Sequence, residues 1–297
     1  MQLYTGVCQG PAYVRVLRVR TTRTCHTWGM PSPKNPAIDA LVMGALTRKP
    51  PTARRRTIQH DFYVYVDTVV MTVNPDRSIP ADERLEVLVM HRPESPSKKW
   101  ALPGGAVGQD ERLEDTAIRK VREETGISLR HRDLHQVGAY GDPDRDDRFR
   151  AISIAYMALV PHPGPLDPQK HSDAASWQPY RSLRDRRNLE FDHHAIIYAA
   201  RKAAWRMLED TPVALSFCQS KFTMSELRGV YEAFLQDSID PANFRRKVES
   251  AEDFVHEMGI LADTSSSRGR PPMLYRPGKA RELNPPIRFR RSQPTQG

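Results

Sequence analysis

The sequence lacks long hydrophobic runs and is poor in cysteine. No apolar stretch approaches the roughly 20 residues that a helix needs to cross a bilayer, which argues against an integral membrane protein. The three cysteines, Cys8, Cys25 and Cys218, are widely spaced. They provide neither a disulfide framework nor the paired spacing of a zinc site. We therefore expect a protein of the reducing cytoplasm that has no membrane partner.

Acidic residues are almost absent from the first 60 positions. Residues 1–60 contain ten Lys or Arg and a single acid, Asp39, so their net charge equals the +9 of the whole chain. The basic character of the chain therefore comes from this extension and is no evidence that the remainder binds nucleic acid. An Arg-rich, acid-poor start is also typical of organelle transit peptides. The lack of any sustained period instead favours a disordered basic extension over residues 1–58.

One stretch, Leu102–Ile127, combines a glycine-rich loop with an amphipathic helix. Asp110 is placed to cap the start of the helix and Gly126 to end it. Helical spacing brings three charged side chains to one side: Lys120, Glu123 and Glu124. A glycine loop beside clustered carboxylates suits a divalent cation that holds a polyphosphate, because hard cations prefer oxygen ligands.

This stretch resembles the box of the Nudix hydrolases, G-x5-E-x7-R-E-U-x-E-E-x-G-U, in which U is a bulky apolar residue. The matching positions are Gly105, Glu111, Arg119, Val121, Glu123, Glu124, Gly126 and Ile127. One position departs, because Lys120 stands where the pattern has the first glutamate of its Arg-Glu pair. The resemblance implies an α/β/α Nudix sandwich. It also implies two sets of site residues: Gly104, Gly105, Arg119 and Lys120 for the ligand, and Glu111, Glu123 and Glu124 for Mg²⁺.

The residues around the box predict the rest of a Nudix-like domain over 59–210. Three segments rich in β-branched residues predict strands: Phe62–Val73, Leu85–Met90 and Ala151–Val160. Asp192 is placed to cap a further amphipathic helix. His193 and His194 follow it and point to different faces of that helix. We therefore expect them to be packing or surface residues and not a joint metal site.

Residues 211–280 contain the parts of a winged helix-turn-helix in order: helix, turn, cationic helix and basic hairpin. Thr223 and Glu226 form a capping box for the first helix, and Asp240 with Pro241 opens the second. The predicted DNA-binding residues lie on the second helix and at the hairpin tip: Asn243, Arg245, Arg246, Lys247, Arg268 and Arg270. The helix would enter a major groove, and the arginine pair suits a narrow minor groove. A dimerisation module with a solvated basic face is the alternative.

The order of the two domains resembles that of the Nudix-related transcriptional regulators, the NrtR family. The resemblance covers about residues 59–277 and includes several short segments: Gly141–Arg145, Phe191–His193, Phe222–Leu227, Asn243–Lys247 and Arg268–Pro271. It implies a homodimer that binds an operator in double-stranded DNA and regulates genes of NAD synthesis or salvage. It also implies ADP-ribose as the effector. We expect residues 281–297 to form a flexible tail.

Two functions remain open for the Nudix-like domain. It is either a Mg²⁺-dependent hydrolase of ADP-ribose or another nucleoside diphosphate derivative, or a sensor of such a nucleotide. Lys120 favours the sensor, because a lysine ammonium neither binds metal nor accepts a proton at neutral pH but can hold a pyrophosphate. A plain surface pair with Glu124 is the other interpretation of Lys120. The hydrolase needs Glu123 and Glu124, and a downstream loop offers further carboxylates as a base: Asp142, Asp144, Asp146 and Asp147.

Overall fold

The computed structural model describes residues 62–91, 99–164, 166, 175–262 and 271–289. The extension predicted for residues 1–58 and the arginine pair Arg268 and Arg270 lie outside these residues. The helices and strands below belong to one structural unit that begins at Tyr63. No helix within the described ranges is long and apolar enough to cross a membrane.

A mixed β-sheet forms the centre of the N-terminal part. Its strands in the described ranges are β1 (Tyr63–Val73), β2 (Leu85–His91), β3 (Trp100–Ala101), β4 (Gly104–Ala106), β5 (His135–Tyr140), β6 (Ala151–Leu159) and β7 (Ala175–Pro179). The main path runs β3-β2-β1-β6-β5, while β4 pairs with β1 and β7 with β2. Strands β1 and β6 are parallel, and the other pairs are antiparallel. β1 is thus central and buried, in agreement with its long apolar run.

The sheet is covered by the helices α1 (Leu113–Thr125) and α2 (His193–Asp210). Successive side chains of a strand point to opposite faces. Val70 of β1 packs in one cluster with Val121 of α1, whereas its neighbour Val69 packs with Ile196 of α2. The two helices therefore lie on opposite faces of the sheet. The predicted α/β/α sandwich is confirmed.

Helix α1 begins later than predicted. Its N-cap is Arg112, whose side chain makes no capping bond, so the prediction that Asp110 caps the helix is wrong. The reason is a turn: the Glu111 N–H donates to the Gly108 carbonyl, and the Glu111 carboxylate accepts from the Gly108 N–H, each at 3.2 Å. The predicted end is confirmed, because Gly126 is left-handed with a φ of 79°.

The C-terminal part is the predicted winged helix-turn-helix. Its elements are β8 (Phe222–Thr223), α3 (Met224–Leu235), α4 (Pro241–Ser250), β9 (Val255–Leu261) and β10 (Met273–Pro277), with the strands in the order β8-β10-β9. Both predicted helix starts are confirmed. The Thr223 hydroxyl accepts from the Glu226 N–H at 3.2 Å, and Asp240 accepts from the Asn243 N–H at 2.8 Å. These caps fix the directions in which the two helices leave the turn.

The segment 281–289 is part of the core, although a flexible tail was predicted from residue 281. Leu283 and Ile287 are buried, and their N–H groups donate to the carbonyls of Asp210 and Glu209 at the end of α2. The segment then crosses to the winged helix. The prediction was wrong here because two isolated apolar residues around a pair of prolines give no helical or strand period.

Candidate nucleotide site and DNA-facing helix

The glycine loop is held tightly between β1 and α1. A Cβ atom at Gly104 would lie 2.2 Å from the Val66 carbonyl oxygen, so only glycine fits beside β1. A Cβ atom at Gly105 would lie 2.5 Å from Cε of Lys120. The Gly104 N–H donates to Glu124 at 3.0 Å, which ties the loop to the helix. The structure therefore brings together three of the predicted ligand residues, Gly104, Gly105 and Lys120, with Glu124 of the predicted Mg²⁺ set.

The Lys120 ammonium lies between two carboxylates of the box. Its Nζ is 3.4 Å from Glu123 Oε2 and 4.0 Å from Glu124 Oε1, and the side chain is only 25% exposed. Opposite charges at this range attract each other. A divalent cation entering between Glu123 and Glu124 would have to displace or repel this ammonium. Lys120 thus makes the site less suited to a cation and more suited to an anion.

Glu111 is engaged by Arg119. The guanidinium donates two hydrogen bonds to the Glu111 carboxylate, each of 2.7 Å, and a weaker one of 3.2 Å to Glu123. Chiefly through these bonds, Arg119 lowers the pKa of Glu111 to about 2. Both oxygens of Glu111 are therefore occupied in closing the turn and in fixing Arg119.

These contacts do not form the oxygen cage that Mg²⁺ prefers. In the part of the chain that the structure describes, no three His, Cys, Asp or Glu side chains are grouped to hold a metal ion. Glu111 is hydrogen-bonded to Arg119, and Glu124 accepts a hydrogen bond from the Gly104 N–H. The Mg²⁺ set of Glu111, Glu123 and Glu124 stays a prediction, and the described geometry does not favour it.

Asp67 is a site residue that the sequence analysis missed. It lies on β1 opposite Gly104, is 5% exposed, and accepts a hydrogen bond of 2.6 Å from the Ser153 hydroxyl. Nε2 of His193 is 3.5 Å from the other carboxylate oxygen. Burial alone would raise the pKa of Asp67, but His193, Ser153 and Arg145 outweigh it and hold this pKa well below its usual range. The sequence did contain one signal for this site, because Asp67 is a single acidic residue within a largely apolar strand.

His193 is a buried packing residue, as predicted, and it also orients Asp67. Its Nδ1 accepts a hydrogen bond of 3.0 Å from the Leu102 N–H. Because Nδ1 is an acceptor, the ring proton is on Nε2 and points toward Asp67. The base of the glycine loop, through Leu102, is thereby connected to the buried carboxylate.

Arg145 and Asp192 complete this buried network. Asp192 occupies the N-cap position of α2 but makes no capping bond, so its predicted capping role is wrong. Its carboxylate instead accepts two hydrogen bonds from Arg145, whose side chain is 5% exposed. Two short segments noted in the sequence, Gly141–Arg145 and Phe191–His193, therefore meet around Asp67.

Aromatic side chains form a rim beside this network. Tyr65 lies two residues before Asp67, on the same face of β1, and pairs with Ala106 of the glycine loop. Its ring stacks on Phe149 with centroids 6.0 Å apart and an interplanar angle of 8°. The Arg148 guanidinium lies 5.0 Å from the centroid of Phe149. Flat rings and a guanidinium offer a surface on which a nucleobase can stack.

In the winged helix, α4 turns its basic side outward. Phe244 and Val248 are buried, whereas Arg245 and Arg246 are exposed, which confirms the predicted orientation. Arg246 donates to the Asn243 side chain at 2.9 Å and Arg245 to Glu249 at 2.7 Å. Lys247 is half-buried, because its ammonium lies 5.6 Å from the ring centroid of Phe289. Of the side chains of α4 that were predicted to touch DNA, Arg245 and Arg246 are thus exposed, and Asn243 and Lys247 are half-buried.

Comparison with known families supports both domains. A model of the NUDIX domain matches residues 60–199, and a model of the NrtR DNA-binding winged helix domain matches residues 214–276. The ADPR responsive transcriptional repressor NtrR of Acinetobacter baylyi is 31% identical over 199 residues, which cover 65% of this chain and 76% of the relative. These matches follow the same order as the two parts of the structure.

Two further relatives extend this comparison. The crystal structure of Shewanella oneidensis NrtR complexed with a 27mer DNA has a TM-score of 0.54 and 27% identity, covering 74% of this chain and 99% of that one. An ADP-ribose pyrophosphatase of Methanocaldococcus jannaschii is 36% identical over 113 residues, 38% of this chain and 63% of the enzyme. Since both domains match in order and the A. baylyi repressor is covered over most of its length, the chain belongs to the NrtR family of Nudix-related transcriptional regulators.

Proposed function

We propose that this protein is a transcriptional repressor of NAD synthesis or salvage genes that binds an operator in DNA and senses ADP-ribose through its Nudix domain. The proposal is supported by the family and by the similarity to a repressor described as ADPR responsive. One observation carries the sensing part: the Lys120 ammonium occupies the space between Glu123 and Glu124. We place the protein in the cytoplasm, together with its DNA.

In the Nudix domain, the pyrophosphate of ADP-ribose would lie against the glycine loop beside Lys120. Gly105 and the Lys120 side chain are in close contact and form one surface. A lysine holds phosphate as a point charge, and Glu123 and Glu124 keep its ammonium at the loop. Arg119 would act indirectly, by fixing Glu111 and Glu123. Binding without cleavage is what a sensor requires.

The rest of the ligand has a suitable neighbouring surface. The rim formed by Tyr65, Phe149 and Arg148 lies next to the loop along β1. An aromatic or guanidinium plane binds a base without hydrogen-bond readout. We therefore propose that the adenine or its ribose lies on this rim while the pyrophosphate contacts Lys120.

In the winged helix, α4 would enter the major groove. Asn243 is half-buried and Arg246 is exposed, and the two side chains are hydrogen-bonded to each other, so they can reach base edges as a pair. Arg245 and Lys247 would contact phosphates. Reading two half-sites requires two winged helices about one DNA turn, or a multiple of it, apart. We therefore propose a homodimer.

Hydrolysis of ADP-ribose is the second candidate function, because the chain is also similar to an ADP-ribose pyrophosphatase. The proposed base would come from the loop after β5. Asp142, Asp144 and Asp147 are exposed there, whereas Asp146 is buried and held by Arg148 at 2.7 and 2.9 Å. If the protein hydrolyses ADP-ribose, Asp142, Asp144 or Asp147 can act as the base. Asp146 cannot, because its carboxylate is bound by Arg148.

The repressor is tested by a mobility shift on the operator of an NAD-synthesis operon, with and without ADP-ribose. We expect specific binding that ADP-ribose reverses. Arg246→Ala should weaken this binding, whereas the exposed Arg130→Ala in the Nudix domain should leave it unchanged. Binding that is equal on operator and unrelated DNA would contradict the proposal. Brisk release of AMP from ADP-ribose by the same preparation would instead favour the hydrolase.

A further inference from the structure

A polar cavity of about 510 Å³ lies where the Nudix part meets the winged helix. One wall comes from the segment after β1, including Arg77 and Arg84, and the other from α3, including Glu226, Arg228 and Gly229. The cavity contains neither the glycine loop nor the basic face of α4. Its size falls within the range of about 300–1,000 Å³ typical of small-molecule sites.

Arg84 places the end of its guanidinium against helix α3 at Gly229. A Cβ atom at Gly229 would be 2.1 Å from the terminal Nη2 of Arg84 and 3.4 Å from its Cζ. Glycine inside a helix costs about 1 kcal/mol relative to alanine. The helix thus contains an unfavourable residue at the one point where the guanidinium needs the space.

The other cations of this cavity are already paired. Arg77 pairs with Glu226. Arg228 donates to the Ile239 carbonyl at 3.1 Å and lies 3.7 Å from Glu232. These two arginines therefore already have partners within the protein and do not require an added anion.

The nearest acids of the 3-10 helix Ala81–Glu83 are also used. Arg181 forms ion pairs with both of them, with Asp82 at 2.6 Å and with Glu83 at 2.8 Å. Within the described residues, Arg84 has no ion pair, and its Nε is buried without a hydrogen-bond partner. Burial and the charge of Arg77 lower the pKa of Arg84, and Glu232 offsets them only in part.

We propose that this cavity is an anion site in which Arg84 binds a phosphate group, either free phosphate or that of a small phosphorylated metabolite. A guanidinium offers parallel N–H donors that match the oxygens of a phosphate. A bound anion would pair with the guanidinium of Arg84, which has no ion pair of its own among the described residues, and would compensate the repulsion between Arg84 and Arg77. The walls belong to both domains, so an anion there would stabilise their present arrangement. This site goes beyond the proposed repressor function, since it uses neither Lys120 nor α4.

The test is a calorimetric titration of the full chain with inorganic phosphate and, separately, with ribose 5-phosphate, at constant ionic strength. We expect saturable binding, and at least tenfold weaker binding by Arg84→Gln. The control Arg130→Gln, at an exposed arginine of the Nudix part that does not line the cavity, should bind as the wild type does. Tighter binding of ribose 5-phosphate than of phosphate would identify a metabolite, and the reverse would identify the free ion.

Two further arms keep the result decisive. Gly229→Ala should weaken phosphate binding as Arg84→Gln does, because its methyl group displaces the guanidinium. If Arg84→Gln does not fold, Arg84→Lys, which keeps the charge and loses the fork, should show weaker binding. Saturating ADP-ribose should leave phosphate binding in place, which separates this site from the glycine loop. Absence of saturable binding, equal binding by the Arg84 variant, or block by ADP-ribose would each overturn the proposal.

Discussion

Arg145 and Asp192 are joined by two hydrogen bonds, of 3.0 Å from Nε and 2.8 Å from Nη2, and the same guanidinium reaches Asp67 at 3.2 Å. The contact fixes the loop after β5 against the start of α2. Both Arg145 and Asp67 are almost fully buried. A buried ion pair contributes little relative to an apolar replacement, but removal of one partner leaves an uncompensated charge.

Arg145→Ala should therefore strongly destabilise the protein. It leaves Asp67 and Asp192 without their shared cation, and we expect the free energy of unfolding to fall by about 3–5 kcal/mol. Urea unfolding at neutral pH measures the change. Arg187→Ala is the control, because its side chain is 85% exposed and that of its partner Asp185 is 39% exposed, so that loss of this pair should change the free energy of unfolding little. Similar losses in the two variants would contradict this role of Arg145.

The Glu111–Arg119 pair predicts a loss of stability in acid. Arg119 lowers the pKa of Glu111 from 4.5 to about 2 in the folded protein. A lowered folded-state pKa stabilises the fold above the unfolded pKa, and this contribution disappears as the pH falls toward the folded pKa. The stability difference between wild type and Glu111→Gln should thus shrink as the pH falls from about 5 toward about 2. Urea unfolding at several pH values tests this, and a constant difference would exclude Glu111 as the source.

Local sequence signals predicted the ends of several elements correctly. The capping box of Thr223 and Glu226, the Asp240 cap and the left-handed Gly126 each depend on a few adjacent residues. These signals predict the structure correctly because the residues that form each cap are only a few positions apart in the chain. The Nudix box was found in the same way, since one loop and one helix contain it.

Contacts between distant residues were beyond the reach of such signals. Asp67, Arg145 and His193 belong to three separate segments, and their network exists only after β1, β6 and α2 have packed. The prediction that Asp110 caps α1 was wrong because Glu111 instead closes a turn with Gly108. The spacing of residues in the sequence does not reveal that turn. The predicted tail failed for a similar reason: its two buried residues find their partners on α2, about 75 positions earlier in the chain.

Lys120→Glu should shift the Nudix site from anion binding toward cation binding. The change moves the local charge by two units and places a third carboxylate beside Glu123 and Glu124. We expect ADP-ribose binding without Mg²⁺ to weaken by about tenfold or more, which corresponds to about 1.4 kcal/mol. Any Mg²⁺-dependent release of AMP should rise. Calorimetry and an AMP assay measure the two effects, with Lys202→Glu on the exposed side of α2 as the control. Unchanged ADP-ribose affinity would show that Lys120 is only a surface pair.

The C-terminal segment should support the DNA-facing helix. Phe289 stacks on Phe244 of α4 with centroids 5.8 Å apart, and Arg288 binds Glu209 and Asp210 of α2 at 2.8 and 2.7 Å. Phe289→Ala should weaken operator binding and lower the free energy of unfolding by at least the roughly 0.5–1.5 kcal/mol that an aromatic pair contributes beyond its buried area. ADP-ribose affinity should stay the same. Mobility shifts and urea unfolding test this, with the exposed Tyr198→Ala on α2 as the control.

Coupling between the two domains has to be reciprocal. If ADP-ribose lowers operator affinity by some factor, operator DNA must lower ADP-ribose affinity by the same factor, typically equivalent to about 1–3 kcal/mol. We expect ADP-ribose to favour a dimer geometry whose winged helices no longer match the half-site spacing. Glu123→Gln, which loosens Lys120 and Arg119, should reduce the response and leave operator binding intact. The measurement is a titration of ADP-ribose into protein alone and into protein saturated with operator. Indistinguishable affinities would mean that the chain contains two independent binding activities and no switch.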